Sequence, residues 1–183
     1  MSPDHPCRIV LVGMMGSGKT TVGRSLSRRT GWRYHDNDEL LAAATHHTAA
    51  EVAAAGEAAL RRAEAAALDV ALAVPEPAIV AAAAGTILDD ESRRRMRDGG
   101  LVVWLHADPE HLAARAAGAT HRPWLDEDAR EWFARAAAER EPLYREVADL
   151  EVTTVGVTPD QVAEEIAGWL ASTMCARWLA EPS

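Results

Sequence analysis

The chain contains very little of several residue types, and each shortage narrows the class of protein it can be. Among 183 residues there are two cysteines, one phenylalanine and one lysine. No apolar run approaches the roughly 20 residues that a membrane-spanning helix needs. Cys7 and Cys175 stand near opposite ends without metal-ligand spacing, which predicts reduced thiols in a cytoplasmic protein. The first seven residues lack the basic and then apolar pattern of a secretion signal.

Positive charge is also scarce, since the formal net charge is −9 at pH 7. A nucleic-acid-binding protein needs a basic face to meet the phosphate backbone. We therefore expect small-molecule partners and no nucleic acid. We also expect no membrane partner and a monomer. The length predicts a single domain over residues 1–183.

One continuous stretch carries a complete nucleotide-binding motif. An apolar run over residues 9–12 predicts a buried strand, and helix-forming sequence begins at Lys19. Between them the chain fits the pattern G-x-x-x-x-G-K-[ST], whose backbone N–H groups surround phosphates. Its residues, with the next one, are the predicted ATP ligands: Gly13, Met14, Met15, Gly16, Ser17, Gly18, Lys19, Thr20 and Thr21. The Lys19 ammonium can reach the β- and γ-phosphates, and the Thr20 hydroxyl can bind Mg²⁺.

Strands and helices alternate along the chain, which is typical of an α/β fold. Strands are predicted at 8–12, 32–35, 78–82, 101–106 and 150–153. Helices are predicted at 19–30, 39–44, 49–54, 57–74, 89–97, 109–117, 129–140 with a short continuation at 142–147, and 159–173. The pattern predicts a three-layer α/β/α arrangement around a five-stranded parallel sheet, with ligands at the carboxyl ends of the strands.

Two carboxylates follow the second predicted strand. If the segment stays extended, Asp36 and Asp38 point to the same side. One can hold Mg²⁺ through water, and the other can bind a substrate hydroxyl and accept its proton.

Arginine supplies 18 of the 19 basic residues. Most belong to solvated helix faces, but Arg61, Arg115, Arg122 and Arg140 stand close to predicted loops or helix ends. Arginine suits bidentate capture of carboxylate or phosphate. Periodicity alone does not choose these four over the others.

Several motifs in series resemble the shikimate kinase family. In order they are GMMGSGKTTVGRSLSRRTG, DND, GEAALRRAE, a strand ending in AAG, ARAAGATHRPWL and REPLYREVADL. The resemblance covers about residues 7–170. It implies the P-loop kinase fold of the nucleoside monophosphate kinases, with substrate-binding helices at about 38–62 and a mobile lid at about 118–128.

The resemblance also implies roles for single residues at the acceptor. Asp38 matches the family aspartate that contacts the substrate hydroxyls and is the candidate base. Arg61 and Arg140 match the two arginines that hold the substrate carboxylate. Gly85 matches the last glycine of a Gly-Gly-Gly turn, and Ala84 stands where the middle glycine gives its N–H to the substrate.

Three further matches concern the nucleotide. Asp36 matches the aspartate near Mg²⁺, the cofactor that the family uses with ATP as co-substrate. Arg122 matches the lid arginine that reaches the phosphates and stabilises the charge of the transferring group. Arg115 matches an arginine near the adenine.

The chain departs from the family pattern in the acceptor pocket. The glycine turn reads Ala83-Ala84-Gly85, and the methyl of Ala84 can narrow the site or change the turn. Ala53 and Leu60 stand where the family has phenylalanines that pack on the substrate, and Trp124 replaces an aliphatic residue of the lid.

Three hypotheses follow. The first is an ATP-dependent kinase of a small polyhydroxylated carboxylate, shikimate above others, in aromatic amino acid biosynthesis, with Lys19, Asp38 and Arg122 as catalytic residues. The second is a kinase of another polyol or sugar acid, such as gluconate or a cyclitol, on the same scaffold. The third is a nucleotide-binding regulator without catalysis.

Overall fold

A five-stranded parallel sheet forms the centre of the fold. The structure, a computed structural model, describes residues 7–117, 129–173 and 175. The strands are β1 (Arg8–Val12), β2 (Arg33–Asp36), β3 (Ala78–Ala81), β4 (Leu101–His106) and β5 (Leu150–Thr153). They lie in the order β2-β3-β1-β4-β5, and every neighbouring pair is parallel. The predicted α/β class and five-stranded sheet are confirmed.

Helices cover both faces of the sheet. They are α1 (Lys19–Thr30), α2 (Asn37–Thr45), α3 (Ala49–Ala54), α4 (Glu57–Leu72), α5 (Asp90–Gly99), α6 (Pro109–Ala117), α7 (Ala129–Val147) and α8 (Pro159–Leu170). A short 3-10 helix, Thr86–Leu88, follows β3 and was not predicted. Helices α1 and α8 bury residues in one core cluster, whereas α4, α5, α6 and α7 bury residues in the other. The three-layer prediction is therefore confirmed.

Strand β1 shows how the sequence specifies this arrangement. All five of its residues are buried. Successive side chains of a strand point to opposite faces, so Ile9 and Leu11 enter the core under α1 and α8, while Val10 and Val12 enter the other core. Only a strand covered on both sides buries a continuous apolar run in this way.

The register of β1, β2 and β3 brings three chain segments to one edge. Leu11 of β1 and Asp36 of β2 both pair with Ala81 of β3. The carboxyl ends of these strands therefore lie side by side, and they carry the nucleotide-binding loop of residues 13–20 (the P-loop), Asp36 and the turn after β3.

The segment after β2 corrects one expectation. The chain does not stay extended beyond Asp36, because α2 begins at Asn37. The Asp36 carboxylate accepts a hydrogen bond from the Asp38 backbone N–H at 3.1 Å and so caps the helix. Asp38 therefore lies in the first turn of α2, and the extended backbone on which the same-side prediction depended is not formed.

Helix α7 was predicted as two pieces separated near Pro142, but it is one helix of 19 residues. A proline inside a helix leaves the carbonyl four residues earlier without its hydrogen bond. That carbonyl belongs to Ala138, which is exposed, so water can satisfy it.

The prediction of two reduced thiols is wrong, because Cys7 and Cys175 form a disulfide. Cys7 precedes β1, and the chain returns after α8 to the same core, where both cysteines are buried. Their Cα atoms lie 5.4 Å apart, an ordinary separation for a disulfide. Their 168-residue separation in sequence gave no indication of this proximity.

The predicted lid at 118–128, which includes Arg122 and Trp124, lies outside the described residues. Position 174 and residues 176–183 of the predicted C-terminal tail also lie outside them. None of the helices described in residues 7–173 has both the length and the apolar character needed to cross a membrane.

Candidate active site

A cavity of about 660 Å³ opens at the carboxyl edge of β1, β2 and β3. Most of the site residues predicted from the sequence line this cavity. The predicted residues among its lining are Met15, Gly16, Gly18, Lys19, Thr20, Thr21, Asp36, Asp38, Arg61, Ala84, Gly85 and Arg140. Ala53 and Leu60, the two positions that depart from the family pattern, also line it.

The P-loop forms one end of the cavity and is built mainly from backbone. The Lys19 ammonium donates to the carbonyls of Gly13 at 2.8 Å and Met14 at 3.1 Å, so both residues hold the lysine in place. Gly13 has φ of +145°, and a Cβ there would lie 2.5 Å from the Leu105 carbonyl oxygen. This position admits only glycine, because both its conformation and its surroundings exclude a side chain.

Asp36 connects this end to the sheet. One carboxylate oxygen accepts from the Thr20 hydroxyl at 2.9 Å and from the Tyr34 hydroxyl at 2.7 Å. Burial, followed by the hydrogen bond to Asp36, raises the pKa of Tyr34 well above its ordinary value. Tyr34 therefore stays a donor, and it fixes the carboxylate beside the Thr20 hydroxyl.

The opposite end of the cavity contains an ion pair in which Glu64 is buried and Arg61 is half-buried. The Arg61 guanidinium donates to Glu64 at 2.7 Å and to Glu57 at 3.1 Å. Burial is the main cause that raises the pKa of Glu64, and the charge of Asp38 adds to the rise. The hydrogen bond and the charge of Arg61 oppose it. Arg61 keeps its charge under these conditions.

The absence of a side chain at Gly85 makes room for the Arg61–Glu64 ion pair. Its φ of −85° and ψ of −21° suit any residue, so conformation does not require glycine here. A Cβ on Gly85, however, would overlap the Arg61 guanidinium and the Glu64 carboxylate. The glycine allows helix α4 to place the ion pair directly against the turn after β3.

The alanines before Gly85 fit the turn without strain. His46 is the one described non-glycine residue with positive φ, so Ala83 and Ala84 have ordinary backbone conformations. The Tyr144 hydroxyl donates to the Ala84 carbonyl at 3.3 Å. Burial raises the pKa of Tyr144, which keeps that donor protonated.

Arg140 enters the cavity from α7 and is held differently from Arg61. It is 8 % exposed, and its Nε is buried without a hydrogen-bond partner among the residues described. Its guanidinium carbon lies 5.7 Å from the ring centre of Trp132, which also lines the cavity.

Arg115 lies at a second, smaller cavity of about 220 Å³ beside the P-loop. Its guanidinium donates to the Gly16 carbonyl at 3.0 Å and to the Thr154 carbonyl at 2.7 Å. Ser17 and Thr21 line this cavity too, together with Val157 and Pro159. The structure therefore puts Arg115 against the P-loop, in a cavity separate from the main one.

The residues of the main cavity and its support that had no role assigned from sequence include Glu64, Tyr34, Tyr144 and Trp132. Glu64 and Tyr34 could have been found by spacing, since they stand three residues after Arg61 and two before Asp36. Tyr144 was quoted within a motif but given no contact. Trp132 was given no functional role from the sequence, and no local signal connects it to the site.

Comparison with known proteins agrees with this geometry. The family model described as shikimate kinase matches residues 15–171. The shikimate kinase of Moorella thermoacetica is 36% identical over 171 residues, which cover 91% of this chain and 98% of that protein.

Solved structures support the same assignment. The shikimate kinase of Acinetobacter baumannii in complex with shikimate has a TM-score of 0.86 and 30% identity, covering 93% of this chain and 95% of its own. A gluconokinase of Sinorhizobium meliloti has a TM-score of 0.64 but 20% identity, over 92% and 93% of the two chains, and shares the fold alone. Because the family model spans most of the chain and these relatives match nearly end to end, the chain belongs to the shikimate kinase family.

Proposed function

We propose that this chain transfers the γ-phosphoryl group of ATP to a hydroxyl of shikimate. One observation carries the proposal above the rest: a single cavity holds a P-loop at one end and two arginines, Arg61 and Arg140, at the other. Phosphate and carboxylate are the groups that such ends bind. A small acid bound between them would present a hydroxyl to the nucleotide.

In this mechanism the acceptor half of the cavity orients the substrate. Arg61 and Arg140 bind the carboxylate, and the Ala84 N–H and Gly85 approach the ring. Asp38 binds the reacting hydroxyl and accepts its proton as the oxygen attacks the γ-phosphorus. The bond from the γ-phosphorus to the bridging oxygen breaks, and ADP leaves.

The P-loop half stabilises the charge that moves during transfer. Lys19 offsets charge on the β- and γ-phosphates, and its two carbonyl partners keep its ammonium within the loop. Arg122, which lies outside the described residues, is proposed to stabilise the transferring group from the lid. Closure of that lid would exclude water, which otherwise hydrolyses ATP.

Mg²⁺ fits the oxygen atoms at the P-loop. The Thr20 hydroxyl and the Asp36 carboxylate lie 2.9 Å apart, and both are the hard oxygen ligands that this ion prefers. Mg²⁺ binds through one or two protein groups, water and substrate phosphates. Thr20 and Asp36 would hold the ion, which when bound would neutralise phosphate charge.

The nucleotide base is proposed to occupy the smaller cavity. Arg115, Pro159 and Val157 line it next to the P-loop backbone. An arginine plane and apolar side chains suit a flat aromatic base. The cytoplasmic location, the monomeric state and the absence of a nucleic-acid partner stay predictions.

A coupled assay of ATP turnover with shikimate, quinate, gluconate and cyclitols tests the acceptor. We expect shikimate to stimulate turnover most, and Asp38→Asn to lower kcat by about 10²–10⁴. Strong turnover of another polyol without stimulation by shikimate would overturn the proposed acceptor in favour of the second hypothesis, which Ala53 and Leu60 motivate. Turnover that persists unchanged in Asp38→Asn would remove Asp38 from the chemistry.

A further inference from the structure

Trp132 is the single aromatic side chain among the described residues that line the main cavity. It lies in the first turn of α7 and is half-buried. Its ring meets that of Phe133 edge to face, with centroids 4.9 Å apart, and Phe133 is fully buried. Such a contact restrains the indole, so its orientation toward the cavity is fixed by the core rather than by a ligand.

The face of this ring carries the guanidinium of Arg140. Arg140 stands eight residues after Trp132 in the same helix, two turns further on, and Ala136 lies between them. Long side chains of a helix lean toward its N-terminus, so Arg140 extends back across the small Ala136 toward the indole. The resulting distance of 5.7 Å from guanidinium carbon to ring centre lies within the range of a cation–π contact.

Arg140 differs here from Arg61. Hydrogen bonds to Glu57 and Glu64 fix the Arg61 guanidinium. The Arg140 guanidinium is nearly as buried as Glu64, yet its Nε has no hydrogen-bond partner in the described part of the chain, and Glu139 approaches it only to 4.0 Å. A ring face restrains a guanidinium without using its N–H donors, so the guanidinium of Arg140, which lines the cavity, keeps donors for a bound acid.

We propose that Trp132 is a positioning residue that holds Arg140 for the carboxylate of the acceptor. The inference rests on the proposed function and deepens it, since it names the group that makes this pocket select carboxylated acceptors over neutral ones. Removing the ring releases a buried guanidinium to other rotamers. The loss therefore falls on recognition of the carboxylate and not on ATP.

The test measures KM for shikimate and for its uncharged methyl ester in wild type, Trp132→Leu and Trp132→Phe. For Trp132→Leu we expect the shikimate KM to rise roughly threefold to thirtyfold. The KM for the ester and the KM for ATP should stay unchanged, so discrimination between acid and ester falls. Trp132→Phe retains a ring face and should restore most of that discrimination.

Trp169→Leu is the matched control, because Trp169 is half-buried on α8 and packs against the core on the other face of the sheet. It should leave every KM and the discrimination unchanged. A Trp132→Leu enzyme that discriminates acid from ester as well as wild type does would overturn the proposal. Equal rises in the KM values for shikimate and ATP would also overturn it, since they indicate general damage.

A wrong acceptor can be distinguished from a wrong role for Trp132. If wild type phosphorylates gluconate and not shikimate, the acceptor is wrong, and the same comparison uses gluconate and gluconamide. A further readout needs no acceptor: Arg140→Leu should change tryptophan emission in the wild-type background and leave it unchanged in the Trp132→Phe background. The same change in both backgrounds would show that the guanidinium does not lie on this indole.

Discussion

The two ends of the main cavity are built in opposite ways. The phosphate end, residues 13–21 with Asp36, is nearly continuous in sequence, and backbone carbonyls hold its lysine. The acceptor end, comprising Asp38, Arg61, Glu64, Gly85 and Arg140, comes from α2, α4, the turn after β3 and α7. The loop at the phosphate end needs little from the rest of the chain to keep its shape. The side chains of the acceptor end are brought together only by the packing of these four elements. We therefore propose that nucleotide binding depends on the continuous loop, whereas acceptor choice depends on how these four elements pack.

The largest expected effect is a loss of kcat on replacing Lys19, which should disable only the phosphate end of the cavity. Lys19→Met removes the ammonium between the Gly13 and Met14 carbonyls and should lower kcat by about 10²–10³, because phosphate charge is no longer offset. Direct titration should show shikimate affinity changed by less than about threefold, since the acceptor end has its own cations. A parallel loss of shikimate affinity would mean that the two ends are not separate.

The same contrast explains what could be predicted from sequence. The P-loop, β1 and α1 could be placed because strand, motif and helix are neighbours in the chain. The start of α2 could also have been predicted, since Asp36 followed by Glu39 is a capping pattern. The segment was instead interpreted as extended. The same residues can be interpreted as a helix cap or as two carboxylates on an extended segment. The cap forms because the Asp36 carboxylate satisfies the Asp38 N–H at the start of α2.

The rest of the site depends on distances that sequence does not carry. Arg61, Gly85 and Arg140 were identified by their resemblance to a family and not by periodicity. The requirement for glycine at position 85 arises from a side chain of α4, more than 20 residues earlier in the chain. The disulfide and the contact of Arg140 with Trp132 are likewise products of packing. Composition therefore suggested reduced thiols, and nothing in the sequence pointed to Trp132.

The next effect concerns stability and should leave both ends of the cavity unchanged. The disulfide lies beyond the amino end of β1, and the cavity lies at the carboxyl edge of the sheet. Replacing Cys7 and Cys175 together by Ser removes a link that closes a loop of 168 residues, which should lower the free energy of unfolding by about 2–5 kcal/mol.

Chemical denaturation measures this loss, with wild type in reductant as the matching condition. Reductant should lower the stability of wild type and leave the double variant unchanged. The KM values for ATP and acceptor should be the same in both proteins while they remain folded. A selective change in either KM would connect the disulfide to the site and weaken the separation of the two regions.

The smallest of these effects falls on the acceptor end alone. Gly85→Ala keeps an allowed backbone conformation but puts a methyl group where the Arg61–Glu64 pair lies. The pair must move, and a shift of about 1 Å in a binding group costs up to about 10²-fold, so we expect the acceptor KM to rise about 10–100-fold. The KM for ATP should not change, because the P-loop contacts are untouched.

Ala84→Gly is the control for this substitution, since it alters the same turn without adding a group against α4. The Tyr144 hydroxyl bonds the carbonyl of residue 84, which the change retains. We expect its acceptor KM within about fivefold of wild type, because added backbone freedom costs about 1 kcal/mol or less. Equal effects of the two variants would assign the loss to the turn itself. A loss confined to Gly85→Ala would instead locate acceptor recognition in the ion pair that α4 presses against that glycine, which is the property that separates this end of the cavity from the P-loop.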